Sequence, residues 1–433
     1  MRKYFMCFVL MPLFAFSQKD PAGLIDTYMR QMIKLKDFSG AVFIAQEDKV
    51  IYKKAFGFAN KEWNIPNTVH TKFRIGSNTK QMTAAAILQL AEKGFLSLDD
   101  KLTKYFPDYP RGDSVTITML LNHTSGIRNY NGTKNFSFLR VLPYSRDSVV
   151  ALFKDAPYEF APGTRWAYNN SAYFLLGYII EKLTGQSYSS YMETLFTNAG
   201  MRNSGVDKPD SILKYRASGY ENKRTGWKNA TYVSMEFPFS AGAMYSTAED
   251  MYLWNKALHG GKTISRQNLS LMTTPTLNYY GFGVRIDSFY NHKRIGHGGG
   301  IPGFESINAW FPEERLCIVL LSNNESDVMA MAEDIEALLF RTPKVVTDTP
   351  QLDSFAGTYQ SLNNTIRFRF ARNGHTMRFI SEEEEFDLYP IDPNTFINGY
   401  ARRRFLKFVK ESNAKIKLRF TRNGVTSELE KVN

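Results

Sequence analysis

The stretch Phe73-Arg74-Ile75-Gly76-Ser77-Asn78-Thr79-Lys80 runs straight into Gln81-Met82-Thr83-Ala84-Ala85-Ala86-Ile87-Leu88-Gln89-Leu90-Ala91-Glu92-Lys93-Gly94. Its alanine-rich part, Met82 to Lys93, reads as a buried helix ending at Gly94, because alanine favours helices and glycine stops them. Ser77 then sits at the helix N-terminus, where unpaired N–H groups and the helix dipole favour developing negative charge. Lys80, three residues on, shares the serine's helix face. A serine hydroxyl is a weak nucleophile until a neighbouring base takes its proton, and a lysine held in a dry site supplies that base or tunes one.

Outward from this helix the pattern is strands, helices, strands and a helix. Residues 18–38 carry Leu24, Ile25, Tyr28, Met32 and Leu35 at helical spacing. Gly40–Ala45 and Lys49–Lys54 are strand-like runs joined by the short polar turn at Glu47-Asp48. The middle of the chain, to about residue 260, reads as mostly helical. Strands return at Arg294–His297, Glu305–Phe311 and Leu316–Ser322, and a helix follows from Asp327 to Phe340. The order predicts an α+β domain over residues 18–340, an antiparallel sheet flanked by helices whose first and last strands lie far apart in sequence.

Residues 341–351, Arg-Thr-Pro-Lys-Val-Val-Thr-Asp-Thr-Pro-Gln, read as a linker. Beyond it, Ile366, Phe368 and Phe370 alternate with arginines, and Ile416, Leu418 and Phe420 with Lys417 and Arg419. Asn-Gly pairs at 373–374, 398–399 and 423–424 mark hairpin turns. Residues 352–433 are thus expected to form a small antiparallel, barrel-like β domain.

The first residues read as a secretory signal. Arg2 and Lys3 precede the uncharged run Tyr4 to Phe16, and Ala15-Phe16-Ser17 places small residues for cleavage before Gln18. Thirteen apolar residues are too few to span a bilayer, so residues 1–17 predict export to the periplasm or beyond. No later segment is long and apolar enough to cross a membrane. Cys7 falls in the signal and Cys317 in Leu316-Cys317-Ile318-Val319-Leu320-Leu321, which excludes a disulfide framework and predicts a buried, inert thiol. The net charge of +12 falls to +10 without Arg2 and Lys3; it is thinly spread, and no nucleic-acid-binding signature accompanies it.

Ser-x-x-Lys alone is weak: it also occurs at Ser211 and Ser412, about as often as composition predicts. Only Ser77 has a buried helix behind it. Tyr168-Asn169-Asn170 adds a phenol, whose pKa a nearby lysine cation would lower, and an amide able to orient Lys80 and hold a substrate. Gly296-His297-Gly298-Gly299-Gly300 follows a predicted strand, and consecutive glycines allow close backbone approach to a substrate. His259-Gly260-Gly261 reads instead as a helix-ending turn.

The order Ser77-x-x-Lys80, Tyr168-x-Asn170, then His297-x-Gly299 resembles that of the serine beta-lactamase and penicillin-binding-protein superfamily. Phe73-Arg74-Ile75-Gly76-Ser77, Leu120-Leu121-Asn122-His123-Thr124-Ser125-Gly126-Ile127, Phe160-Ala161-Pro162-Gly163, Ser240 to Asp250 and Tyr280-Gly281-Phe282-Gly283 are similar to its class C-like branch, over roughly residues 25–340. The tail resembles the small β domain appended to some members. The resemblance implies a beta-lactamase/transpeptidase-like fold and an acyl-enzyme on Ser77, with Tyr168 and Lys80 sharing the roles of general base and acid. The oxyanion would lie against backbone N–H groups of Ser77 and of Gly300, with Gly299 beside it, while Asn170 and His297 position the substrate. His297 stands where dedicated beta-lactamases carry lysine, which points to carboxypeptidase, D-aminopeptidase or esterase chemistry on a small-molecule or peptide-like substrate. The residue between Tyr168 and Asn170 is asparagine where serine or alanine is commoner. His123 is assigned packing and no chemistry. No metal or cofactor is expected, and the six histidines lack His-Glu-x-x-His spacing. True beta-lactamase action, acyl transfer and a non-catalytic scaffold remain as alternatives.

Overall fold

The computed structural model describes residues 21–340 apart from 209, 224–225 and 290–291. It also describes 352–432 apart from 362–366, 374–375, 382–384, 391–393, 399–403, 411–414 and 423–424. The expected signal at 1–17, the linker at 341–351 and most of the Asn-Gly turn residues lie outside the described residues.

The elements that position the site are α1 (Pro21–Lys36), β1 (Gly40–Gln46), β2 (Lys49–Phe56), α2 (Thr79–Glu92), α3 (Asn170–Thr184), α4 (Tyr188–Ala199) and α5 (Ala248–His259). They continue with β3 (Arg285–Phe289), β4 (His292–Ile301), β5 (Phe304–Phe311), β6 (Leu316–Ser322) and α6 (Val328–Leu339). The strands form one antiparallel sheet in the order β3-β4-β5-β6-β1-β2. The early hairpin therefore closes onto the late strands, with Gly40 opposite Ser322 and Gln46 opposite Leu316.

Both faces of the central strands are buried, which explains their near-continuous apolar sequence. Val42, Ile44, Ile318 and Leu320 face one way, into a layer made by Ile25 and Met29 of α1 and Val328, Met331 and Ile335 of α6. Ala41, Phe43, Val319 and Leu321 face the other, into the larger cluster that contains α2, α3 and α5. Each such buried aliphatic side chain contributes roughly 1.5–3 kcal/mol. Arg294 of β4 pins α6 to the sheet edge, bonding Asp287 at 2.7 and 2.9 Å and Glu336 at 3.0 and 3.1 Å.

Two sequence expectations change. Strand β3 was not expected, and β4 runs on through the glycines to Ile301 rather than stopping at His297. A glycine strand has no side-chain periodicity to read, but its backbone still pairs fully with β5. Between α4 and α5 the chain is mostly loop with strand fragments, among them Gly205–Val206, Tyr220–Lys223 and Met244–Ser246, and its helix is confined to the short Phe239–Gly242. Residues there lack a sustained apolar period, and Gly200, Gly205, Pro209, Gly219 and Gly226 break what period exists.

Residues 357–431 form an eight-stranded antiparallel barrel, closed by pairing of Tyr359 with Lys431 and Gln360 with Glu430. Phe370, Phe379, Leu406, Phe408 and Leu418 fill its interior, with Leu352 and Phe355 of the short preceding helix. Arg367, Arg369 and Arg419 are exposed, as the alternation predicted.

Candidate active site

Ser77 lies in a 3-10 turn, Gly76–Asn78, that leads into α2. The turn meets β4 so closely that glycine is required on both sides. Gly76 has φ +49, and a Cβ there would lie 3.0 Å from the Gly300 backbone. A Cβ on Gly299 would lie 2.0 Å from the Ile75 carbonyl. Opposite, β3 begins at Arg285, paired with Gly296, so it leaves the 297–301 edge of β4 to the serine turn.

Lys80 is fully buried and its Nζ has three neighbours: Ser77 Oγ at 3.2 Å, Asn170 Oδ1 at 2.8 Å and the Ala241 carbonyl at 2.7 Å. Burial lowers its pKa well below that of free lysine. A neutral amine suits this geometry: two N–H groups donate to Asn170 and Ala241, while the lone pair is left to accept from the Ser77 hydroxyl. Asn170 is itself tied down, donating through Nδ2 to Asn131 Oδ1 at 3.1 Å. The other two Ser-x-x-Lys matches offer nothing comparable. Ser211 and Lys214 are exposed and outside any helix, and Ser412 lies outside the described residues.

The Tyr168 phenol is buried beside Ser77, with Lys80 Nζ 4.8 Å from its ring centroid. Its pKa is raised, not lowered as expected: burial pushes it up, and the Ser77 hydroxyl only partly opposes this. Lys80 does not offset this: its own charge is disfavoured by burial, and its Nζ bonds Asn170 and the Ala241 carbonyl. Asn169 turns away from the cleft. It caps α3 by accepting from Ala172 N–H at 2.9 Å and donates to the Ile127 carbonyl at 2.6 Å. Asparagine is a preferred cap, so its presence between Tyr168 and Asn170 is accounted for.

His297 is buried. Nδ1 faces the Gly298 carbonyl, which can only accept, and Nε2 lies 2.9 Å from Tyr280 Oη. The ring is thus a neutral tautomer with both nitrogens engaged inside the protein. Burial, helped by the Lys80 charge, takes its pKa down to about 3. Gly300 lines the cleft with Ser77, whereas Gly299 is turned toward Ile75 and Ser306. The cleft, about 140 Å³, is also lined by Tyr130, Phe136, Arg140 and Phe237.

Three contributors were not read from the sequence. Ala241 acts through its carbonyl, which has no side-chain signature. Tyr280 was quoted only as part of a block. His123, assigned to packing, does more: it sits at φ +63, its carbonyl accepts from Ala167 N–H at 3.1 Å and its Nδ1 from Asn169 N–H at 3.2 Å. Those bonds bracket Tyr168, whose ring lies 4.5 Å from the imidazole. Cys317 is buried as expected, its thiol pushed up to about 12 by burial.

A serine whose hydroxyl meets a desolvated lysine on the next helical turn, against a glycine strand edge, defines an active-serine hydrolase of the penicillin-binding-protein kind. Residues 25–341 match the family described as Beta-lactamase, and the chain belongs to that family. The penicillin-binding protein from Bacillus halodurans is 32% identical, covers 72% of this chain and 99% of its own, and superposes with a TM-score of 0.65. A D-stereospecific amidohydrolase from Streptomyces sp. is 25% identical over 75% of this chain and 98% of its own, with a TM-score of 0.64. The teichoic acid D-alanine hydrolase of Staphylococcus aureus (strain MRSA252) is 26% identical over 74% of this chain and 79% of its own. The chain is a serine hydrolase. No helix among the described residues is long and apolar enough to cross a membrane.

Proposed function

We propose that this chain is exported and forms an acyl-enzyme on Ser77 from a peptide-like amide or ester, as a D-amino-acid peptidase, carboxypeptidase or esterase. The observation that carries the reading is the buried Lys80 amine, 3.2 Å from Ser77 Oγ and fixed by Asn170 and Ala241. The Ser77 proton passes to neutral Lys80 while Oγ attacks the carbonyl carbon. The resulting oxyanion lies against the N–H groups of Ser77 and Gly300, and losing one such donor costs about 3–4 kcal/mol. Because burial keeps Tyr168 protonated, its phenol donates to the departing nitrogen or oxygen and regains a proton from the Lys80 ammonium. Water then attacks the ester, with the same groups working in reverse, and Ser77 is freed. His297 supports this from behind, fixing the strand edge through Gly298 and Tyr280. A basic start followed by Tyr4 to Phe16 supports export.

The test is labelling of the full chain with a fluorophosphonate and, separately, with a fluorescent penicillin, beside Ser77→Ala. Labelling by either reagent that disappears in the variant supports the reading, and slow release of the penicillin favours a peptidase over a beta-lactamase. A folded wild type that neither reagent marks would sink it.

A further inference from the structure

We propose that Arg140 reads an anionic group on the substrate; the assignment rests on Ser77 being the working nucleophile of the same cleft. Among the described residues that line the cleft, Arg140 is the only charged one, and no carboxylate lines it. The other arginines held near the core have counter-ions: Arg74 and Arg216 share Asp207, Arg146 meets Glu181 and Glu236, and Arg294 meets Asp287 and Glu336. Arg140 makes no ion pair among the described residues, and its Nε is buried without a hydrogen-bond partner. A buried donor left unmatched is costly, so its persistence in a substrate cleft points to a ligand that completes it.

Its surroundings hold the side chain for that purpose. The Arg140 N–H donates to the Phe136 carbonyl at 3.0 Å, and its own carbonyl accepts from Ser234 N–H at 2.9 Å. The guanidinium carbon stands 5.8 Å from the Phe136 ring centroid. Both cleft walls, around Phe136 and around Phe237, are therefore tied to the arginine backbone, and Arg140 itself lines the cleft. A planar guanidinium with five fixed donors matches a carboxylate or a phosphate in two-point contact. Either group fits: the carboxylate of a peptide-like acyl or leaving group, or the phosphate of a phosphodiester polymer carrying the scissile ester.

The experiment compares matched pairs of small ligands as protectants of Ser77 against fluorophosphonate: N-acetyl-D-alanine with its amide, and glycerol 3-phosphate with glycerol. In the full-length wild type the anion of one pair is expected to protect at a concentration about tenfold or more below its neutral partner. The preferred pair tells carboxylate from phosphate. Arg140→Gln should bring the two members of that pair together, and Arg140→Lys should retain part of the difference. Equal protection by charged and neutral partners in the wild type, or an undiminished preference in Arg140→Gln, overturns the proposal. Calorimetric titration of the same four compounds into Ser77→Ala needs no reactive serine. If the wild type is not labelled, the nucleophile reading fails while the calorimetric ratio still decides the role of Arg140.

Discussion

Buried side chains of residues 21–340 include Lys80, His123, Asp250, His297 and Glu336, whereas the described core of residues 352–432 is built from Phe, Leu, Met and Ile around Tyr359. The buried polar atoms without a partner follow the same division. All those among the described residues lie before residue 340, and His123 Nε2, Trp166 Nε1 and Tyr168 Oη gather around one imidazole. Among the described residues of the barrel the buried phenol is satisfied, Tyr359 donating to the Phe355 carbonyl at 3.0 Å. A region packed only for stability removes unmatched polar groups; a region that must meet a substrate keeps some. The contrast predicts that substitutions before residue 340 separate activity from stability, and substitutions in the barrel do not touch activity at all.

The largest effect expected is at Ser77. Ser77→Ala should lower kcat by about 10⁴-fold or more while shifting Tm by no more than about 2 °C, since one half-buried oxygen is lost. Steady-state kinetics on a D-amino-acid amide or ester, with calorimetric melting, check both numbers. Residual turnover within tenfold of wild type would remove the serine from the chemistry.

Next comes pH. Neutral Lys80 is the reactive form, so kcat/KM should rise with pH through its lowered pKa and be lost below it. His297, held down to about 3, is neutral across the same range and should contribute no limb. The sign is therefore fixed: activity falls on acidification, and the limb belongs to lysine. His297→Gln should keep the acid limb, within about half a pH unit, even if the rate drops. A limb that vanishes in this variant would transfer the base role to histidine.

His123→Ala is expected to be smaller and mixed. Removing the ring leaves Asn169 N–H without its acceptor and opens space beside Tyr168, at a cost of about 2–4 kcal/mol of stability. As a positioning effect it should reduce kcat about tenfold to a hundredfold with KM nearly unchanged. His123→Asn, which tolerates the positive φ, should recover stability more than rate. A KM change without a kcat change would mean the ring touches substrate.

How much of this was legible follows from which groups carry the information. The α+β frame was readable because β1, β5 and β6 alternate or run apolar, and α2 and α6 have strong helical patterns. Ser77, Lys80, Tyr168 and Asn170 could be singled out because they are side chains at motif spacing, and the structure places them side by side. The glycine strand β4 was half legible, since glycine carries no period. Ala241 was invisible because its carbonyl does the work. Arg140 was invisible because a cation without an ion pair among the described residues is defined by absent neighbours, which only three-dimensional packing reveals. The direction of the Tyr168 shift was misread for a related reason: proximity of Lys80 was expected correctly, but burial raises the phenol and disfavours the lysine charge, and burial is a matter of packing.

The smallest expected effect on catalysis is the sharpest test of the contrast. Phe408 packs inside the barrel, stacked 4.6 Å from Phe355 and edge-on to Phe370 and Phe396 at 5.4 Å. Phe408→Ala removes a filled aromatic site and should cost about 3–5 kcal/mol of barrel stability, seen as an earlier melting transition. If the barrel only packs, kcat/KM on a small amide or ester should stay within twofold below that transition, because no buried polar group of the site depends on those rings. A loss above about tenfold with the barrel still folded would mean that residues 352–432 help to shape the cleft. In that case their apolar core would have been selected for holding a functional surface in place, and the division between the two regions would mark where chemistry is done rather than where function ends.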